Sequence, residues 1–231
     1  TVVAEELRQF ADELEKADDF KSALTDLVRR TVKEHKRIIF NGDGYSDEWV
    51  KEAEKRGLSN LKTTVDAMPA FISPKSEEVF TRHHVFNHSE LFSRYEIMME
   101  EYSKTIHIEA LTMSEMVRKD VTSFCVGYQN ELLQLLQSKK ACGIAECGME
   151  EELAKKIAAL SADMIKGLKK LDEATEKAEK VADISEQAAA YRDHVVTAMS
   201  ELRTVVDELE TLIPKKFWLL PTYGELLYSV H

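Results

Sequence analysis

An alternation of four and three, carried through two long stretches, constrains this chain more than anything else in it. Leu153, Ile157, Leu160, Met164, Gly167, Leu171, Ala174, Ala178 and Val181 follow that spacing, and so do Tyr191, Val195, Ala198, Leu202, Val205, Leu209 and Leu212 before Pro214. Residues so spaced share one helix face, which must be buried against another helix. Each stretch of ~30 residues would reach ~45 Å by helical rise. The register resets around Ala182 to Glu186, so an antiparallel coiled-coil hairpin over 149–213 is the simplest reading and one unbroken rod the alternative. Gly167, Ala174 and Ala178 are expected to thin the seam, each missing large side chain forgoing roughly 1.5–3 kcal/mol of burial. The tip is then the weak end.

The rest of the chain reads as helical too. Only eight glycines and four prolines punctuate 231 residues, leaving little material for hairpins and strands. The fold class is all-α: a helical bundle with long helices, plus the hairpin. Val3, Leu7, Phe10 and Leu14 mark a first helix, and Phe20, Leu24, Leu27, Val28 and Val32 a second, capped at Asp18-Asp19. Shorter helices follow over Ser46 to Arg56, near Thr64 to Phe71, and after Ser73-Pro74, an N-cap followed by an N1 proline. Asn87 and Glu90 have the spacing of a capping box. From there a stripe runs through Leu91, Tyr95, Met98, Tyr102, Ile106, Met113, Val117, Val121, Phe124 and Tyr128 to Leu136, with a kink expected in Thr122 to Gly127. The organisation expected is helices over 1–40, a bundle with a long helix over 41–148, the hairpin over 149–213, and an apolar tail over 214–231 that must dock somewhere.

Charge and composition exclude whole classes of partner. With 42 acidic and 31 basic side chains the formal charge is −11, which repels nucleic acid and anionic membranes. No apolar run approaches the ~20 residues of a membrane span, and no basic-then-apolar leader opens the sequence. Three cysteines, an odd and small number, fit a reducing cytosol, so the expected location is cytoplasmic. The opening Thr1-Val2-Val3-Ala4-Glu5 starts inside an amphipathic pattern and reads as part of something longer.

Candidate chemistry fails on spacing. A calcium loop beginning at Asn41 would take ligands from Asn41, Asp43, Tyr45, Asp47, Trp49 and Glu52, with Ser46 where a glycine is needed; Tyr and Trp are wrong ligands. A dinucleotide fingerprint would need a glycine at Asp47 and a preceding strand. A corner explains the loop instead: Gly42 ends a helix running to Phe40, Gly44 allows the turn, Ser46 caps the next helix, and Tyr45 staples onto Val50. His84 and His88 have a chelating spacing, with His83 beside them, but the cap at Asn87 puts them on different elements. No histidine follows a glutamate by three, as carboxylate-bridged di-metal bundles require. Cys142 and Cys147 are too far apart for a redox pair, and Glu100, Glu101, Glu109 and Glu115 read as solvated helix faces. The residues therefore assign no catalytic, cofactor-binding or metal-binding position.

Longer stretches carry a more specific signal. "EHKRIIFNGDGYSDEWVKEAEKRGLSNLKTT" (Glu34 to Thr64), "SRYEIMMEEYSKTIHIEALTM" (Ser93 to Met113) and "PTYGELLYSV" (Pro221 to Val230) closely resemble the C-terminal part of type III glutamine synthetases. "TVVAEELRQFADELEKA" looks like the helix leaving that family's catalytic barrel. The resemblance spans the chain, least distinctively over Thr122 to Gln187. It implies a parent enzyme that joins ammonia to glutamate through a γ-glutamyl phosphate, using ATP and divalent Mg or Mn, in double-ring dodecamers. The family's metal and nucleotide residues lie N-terminal to this chain, so none is carried onto a position here. The chain itself is expected to be a non-catalytic structural and assembly region, with the catalytic barrel and neighbouring subunits as partners. The alternative is a coiled-coil module whose weak seam recruits a regulator or a neighbouring subunit. Two departures stand out: a family-like proline near Thr122-Ser123 is missing, and His231 follows the family-like end at Val230.

Overall fold

The computed structural model of the chain describes residues 1–228, so the expectation for Val230 and His231 lies outside the described residues. Every regular element among the described residues is helical. The helices are α1 (Val2–Leu14), α2 (Phe20–His35), α3 (Asp47–Lys55), α4 (Thr64–Phe71), α5 (Pro74–Arg82), α6 (His88–Met116), α7 (Thr122–Ala141), α8 (Gly148–Glu179), α9 (Ile184–Ala190), α10 (Val196–Leu212) and α11 (Tyr223–Tyr228). The chain divides into two compact units, Thr1–Met98 and Met99 onward, with the division falling inside α6.

In the first unit, local side chains start the helices. Asp19 accepts from the amides of Lys21 and Ser22, Ser46 from Trp49, Thr63 from Asp66, and Ser73 from Ser76, each satisfying an amide the first turn would leave orphaned. Asn87 and Glu90 form a reciprocal box: each amide donates to the other's side chain at 2.9 Å. Helix ends follow a different logic. After α3, Leu58 N–H bonds to the Ala53 carbonyl at 2.9 Å and Gly57 N–H to Glu54 at 3.0 Å, with Gly57 at φ +67°. This is a Schellman ending, which needs a left-handed residue. Gly143 does the same after α7 at φ +75°, where Ile144 bonds back to Lys139 at 2.9 Å. After α5 the left-handed place is taken by His84, at φ +52°, with Val85 N–H on the Phe80 carbonyl at 3.0 Å.

The loop before α3 departs from its sequence reading. The second helix stops at His35 and tightens into a 3₁₀ turn over Lys36–Ile38, rather than running to Phe40 and ending on Gly42. The Arg56 guanidinium donates to the carbonyls of Arg37 (3.0 Å) and Ile39 (2.8 Å), so a distant side chain closes this end. Phe40 then turns away to stack on Trp49, ring centroids 4.5 Å apart. A Cβ on Gly42 would lie 2.6 Å from the tip of the Phe40 ring, so the glycine makes room for that ring. Tyr45 is fully exposed and staples nothing.

In the second unit α8 is the central helix. Lys156 pairs with Glu208 at 2.8 Å and Lys170 with Glu201 at 2.5 Å, so rising positions in α8 meet falling positions along α10. On another side α8 packs against α7, and Asp172 accepts from Ser114 (3.1 Å) and pairs with Arg118. Ile157, Met164, Leu171, Leu202 and Leu209 are buried to 1 % exposure or less. The expected thin layer at Gly167 is filled: a Cβ there would sit 3.3 Å from Leu202 Cδ1 and 3.6 Å from Leu202 Cα. The glycine brings the two helices close instead of leaving a gap. The turn after α8 is also well tied. Asp183 caps α9, and the Gln187 amide donates to the carbonyls of Glu179 (3.3 Å) and Val181 (3.1 Å).

The irregularity of the long helix falls at a π turn over Val117–Val121, just before the expected window, where the Thr122 hydroxyl donates to the Val117 carbonyl at 2.7 Å. An inserted residue, not a proline, breaks the register. A second π turn spans Tyr191–Val195. Past α10, Trp218 is buried against Phe124 (centroids 5.4 Å) and Phe217 lies on Tyr128 (5.5 Å). Gly127 faces that Phe217 ring, its absent Cβ 3.1 Å away.

Candidate functional site

The most concentrated electrostatics in the first unit surround Glu5, a carboxylate on α1 that is 4 % exposed. Arg8 donates to it at 2.8 and 3.1 Å, Gln9 at 2.9 Å and His83 lies at 2.9 Å, while Arg82 of α5 pairs with the same group. These hydrogen bonds, Arg8 first and then Gln9 and His83, hold the Glu5 carboxyl far below the usual carboxylate range against the opposing effect of burial. A carboxylate so saturated with donors stays ionised near neutral pH and ties α1 to α5; it is poorly suited to proton transfer. In the second unit Glu150 at the start of α8 plays a similar part. Lys139 of α7 hydrogen-bonds it, lowering the Glu150 carboxyl and raising its own ammonium.

The histidines singled out by spacing are separated by the fold. His83 belongs to the Glu5 knot, His84 forms the left-handed end of α5, and His88 Nδ1 pairs with Glu77 at 2.6 Å. Among the described residues no group of three His, Cys, Asp or Glu is placed to hold a metal ion. The loop from Asn41 is a turn: Asp43 accepts from the Tyr45 amide at 2.9 Å, the Ser46 hydroxyl donates to the Asp43 carbonyl at 2.8 Å, and Ser46 Oγ accepts from Trp49. Cys125 and Cys147 are buried and Cys142 exposed, all as free thiols, and burial pushes the Cys125 thiol up. No described helix is long and apolar enough to cross a membrane.

What the sequence did not single out are surfaces and long-range pairs. Tyr191 on the second π turn is buried and hydrogen-bonds His107 of α6 at 2.9 Å. In the first unit α1 and α2 form a cavity of about 430 Å³ lined by Leu7, Phe10, Leu14, Leu24, Leu27 and Val32, and of its lining Leu7, Leu24, Val28 and Val32 are exposed. In the second unit the end of α6 and α10 form an apolar groove of about 410 Å³ in which Met113, Met116 and Met199 take part. Periodicity shows that these residues share a face, but not that the face stays uncovered.

Long amphipathic helices, ion-pair knots that fasten helix to helix, and open apolar faces define an all-helical structural region. The chain belongs to the glutamine synthetase C-terminal domain family, which matches residues 23–140, just over half of its length. It is 47 % identical over 214 residues to a glutamine synthetase of Butyrivibrio fibrisolvens, covering 92 % of this chain and 31 % of that protein. It is 29 % identical over 245 residues to the type-3 glutamine synthetase of Dictyostelium discoideum (99 % and 32 %), and 30 % identical over 241 residues to the glutamine synthetase of Bacteroides fragilis strain YCH46 (98 % and 32 %). The chain thus spans about a third of the length of the curated relatives it matches.

Proposed function

We propose that this chain is the C-terminal helical structural and assembly region of a cytoplasmic glutamine synthetase, and that the longer enzyme makes glutamine from glutamate, ammonia and ATP. In this reading ATP and Mg or Mn are bound by the catalytic part of the longer enzyme. In this reading no chemical step is assigned to the residues of this chain.

The observation that carries the proposal is the α1–α2 face. Burying a side chain such as Leu7 or Val28 stabilises by roughly 1.5–3 kcal/mol, and an uncovered apolar face of this breadth marks an interaction surface. The remainder of the same enzyme is its natural cover. Leu7 is 60 % and Val28 54 % exposed in this chain, so Leu7→Asp with Val28→Asp places charge on the open face, and an unchanged circular-dichroism spectrum of the variant checks that α1 and α2 remain folded. Placed in the longer enzyme, the pair should abolish or sharply reduce ATP-dependent glutamine formation and lower the native mass. Unchanged activity and mass would overturn the reading.

The alternative, a coiled-coil module that recruits a regulator or a neighbouring subunit, rests on the small-residue layers at Gly167, Ala174 and Ala178, of which Leu202 fills the one at Gly167.

A further inference from the structure

A cleft of about 290 Å³ opens in the second unit where α6, the end of α8, α9 and the second π turn meet. Its floor is firmly built. Tyr191 is 3 % exposed and its hydroxyl meets His107 Nδ1 at 2.9 Å, while Ser103, equally buried, donates its hydroxyl to the Met99 carbonyl at 3.1 Å. Tyr191 also opens the π turn, an irregularity that recurs at functional sites.

What the cleft offers is hydrogen-bond acceptors. The Gln187 amide nitrogen donates to the carbonyls of Glu179 and Val181, which fixes the side chain and leaves its Oε1 to accept. In the His107 tautomer whose Nδ1–H donates to the Tyr191 oxygen, Nε2 accepts as well. The Glu179 carboxylate stands in the lining, in no ion pair among the described residues. After burial, its charge is the second influence that raises the Tyr191 hydroxyl above its ordinary pKa, so its field reaches the floor. Lys104, the cation in the lining, is already neutralised by Glu100 at 2.7 Å. Ile108, 63 % exposed, adds an apolar wall. Three acceptors and one uncompensated negative charge match a primary ammonium, which carries three N–H donors and one positive charge.

We propose that this cleft binds a primary alkylammonium, its N–H donors shared among the Glu179 carboxylate, Gln187 Oε1 and His107 Nε2, and its alkyl chain lying along Ile108. A monoamine and a linear diamine both supply that group. The second ammonium of a diamine reaches toward Glu100, two helical turns along α6 from His107. The site does not rest on the assembly role proposed above, and the results below leave that role untouched.

Butylammonium chloride titrated into the 231-residue chain at constant ionic strength, followed by two-dimensional amide NMR, tests the proposal. Saturable binding with a Kd of about 1 mM is expected, with the shifts concentrated at the Gln187 side-chain amide and around His107 and Tyr191. Glu179→Gln should weaken it at least about tenfold, whereas Glu173→Gln, also exposed on α8 but outside the cleft, should leave it unchanged. Ammonium chloride, which has no chain to lay on Ile108, should bind at least about tenfold more weakly. Tighter binding of 1,4-diaminobutane that Glu100→Gln abolishes identifies a diamine as the ligand, and affinity equal to butylammonium identifies a monoamine. Butylammonium should also raise the melting temperature of the wild-type chain and not that of Glu179→Gln, a comparison made within each folded protein. Shifts that never saturate or spread over the whole surface, equal losses in the two glutamine variants, or ammonium binding as well as butylammonium would each overturn the proposal.

Discussion

Replacing Trp218 by alanine should destabilise the second unit by about 3–5 kcal/mol, the usual range for removing a buried aromatic. Trp218 is 2 % exposed and packs at 5.4 Å on Phe124, within a core that includes Leu202 and Leu209. Its Nε1 is buried without a hydrogen-bond partner among the described residues. Burying an unsatisfied donor costs about 1–3 kcal/mol, so Trp218→Phe loses contact area but also relieves that penalty, and should cost less than about 2 kcal/mol. With a urea slope of about 2 kcal/mol/M, the alanine variant's midpoint should fall by about 1.5–2.5 M and the phenylalanine variant's by under about 1 M. The assay is urea unfolding followed by circular dichroism at 222 nm. Trp49, the tryptophan that remains, reports by fluorescence on the first unit. Equal losses for the two variants would refute the reasoning about the orphaned N–H. A loss below about 1 kcal/mol for alanine would show that the segment after α10 does not dock on α7.

Further outcomes follow from the helix ends and the Glu5 knot. His84→Gly should stabilise by roughly 0.5–1 kcal/mol and Gly57→Ala destabilise by about 1–2 kcal/mol, because both positions are left-handed and open space surrounds Gly57; thermal melts read both. Asn87→Ala should cost about 1 kcal/mol through the lost box, with faster amide exchange in the first turn of α6. Glu5 has a depressed folded-state pKa, so its stabilisation is fully present above the ordinary carboxylate value of about 4.3 and is lost as pH falls through the lower folded value. Wild-type and Glu5→Gln melts should therefore differ most near neutral pH and converge in strong acid, and a gap that widens on acidification would contradict the assignment.

The helix starts were plain in the sequence because Asp19, Ser46, Ser73 and Asn87 act on amides two or three residues away. The endings were not. The conspicuous glycines of Asn41-Gly-Asp-Gly drew the reading, while the left-handed positions lie at Gly57, Gly143 and His84, and nothing in a histidine announces φ +52°. Long-range partners were hidden for a different reason: period tells which face of a helix is apolar, not which element covers it. Hence Glu5 was unpaired in the sequence, although Arg82 and His83 reach it from 77 and 78 positions away. Gly167 read as a gap because the knob that fills it, Leu202, comes from the other heptad set. The family, by contrast, was legible in ordered stretches such as Glu34 to Thr64, which lie largely within the segment the family matches.

The central claim is that this chain supplies helical structure to an enzyme whose chemistry lies elsewhere, and the most direct test is an assay of the purified 231-residue chain with glutamate, ammonia, ATP and Mg or Mn. The account predicts a helical circular-dichroism spectrum and no glutamine formed above background; ATP-dependent glutamine formation by this chain alone would contradict it.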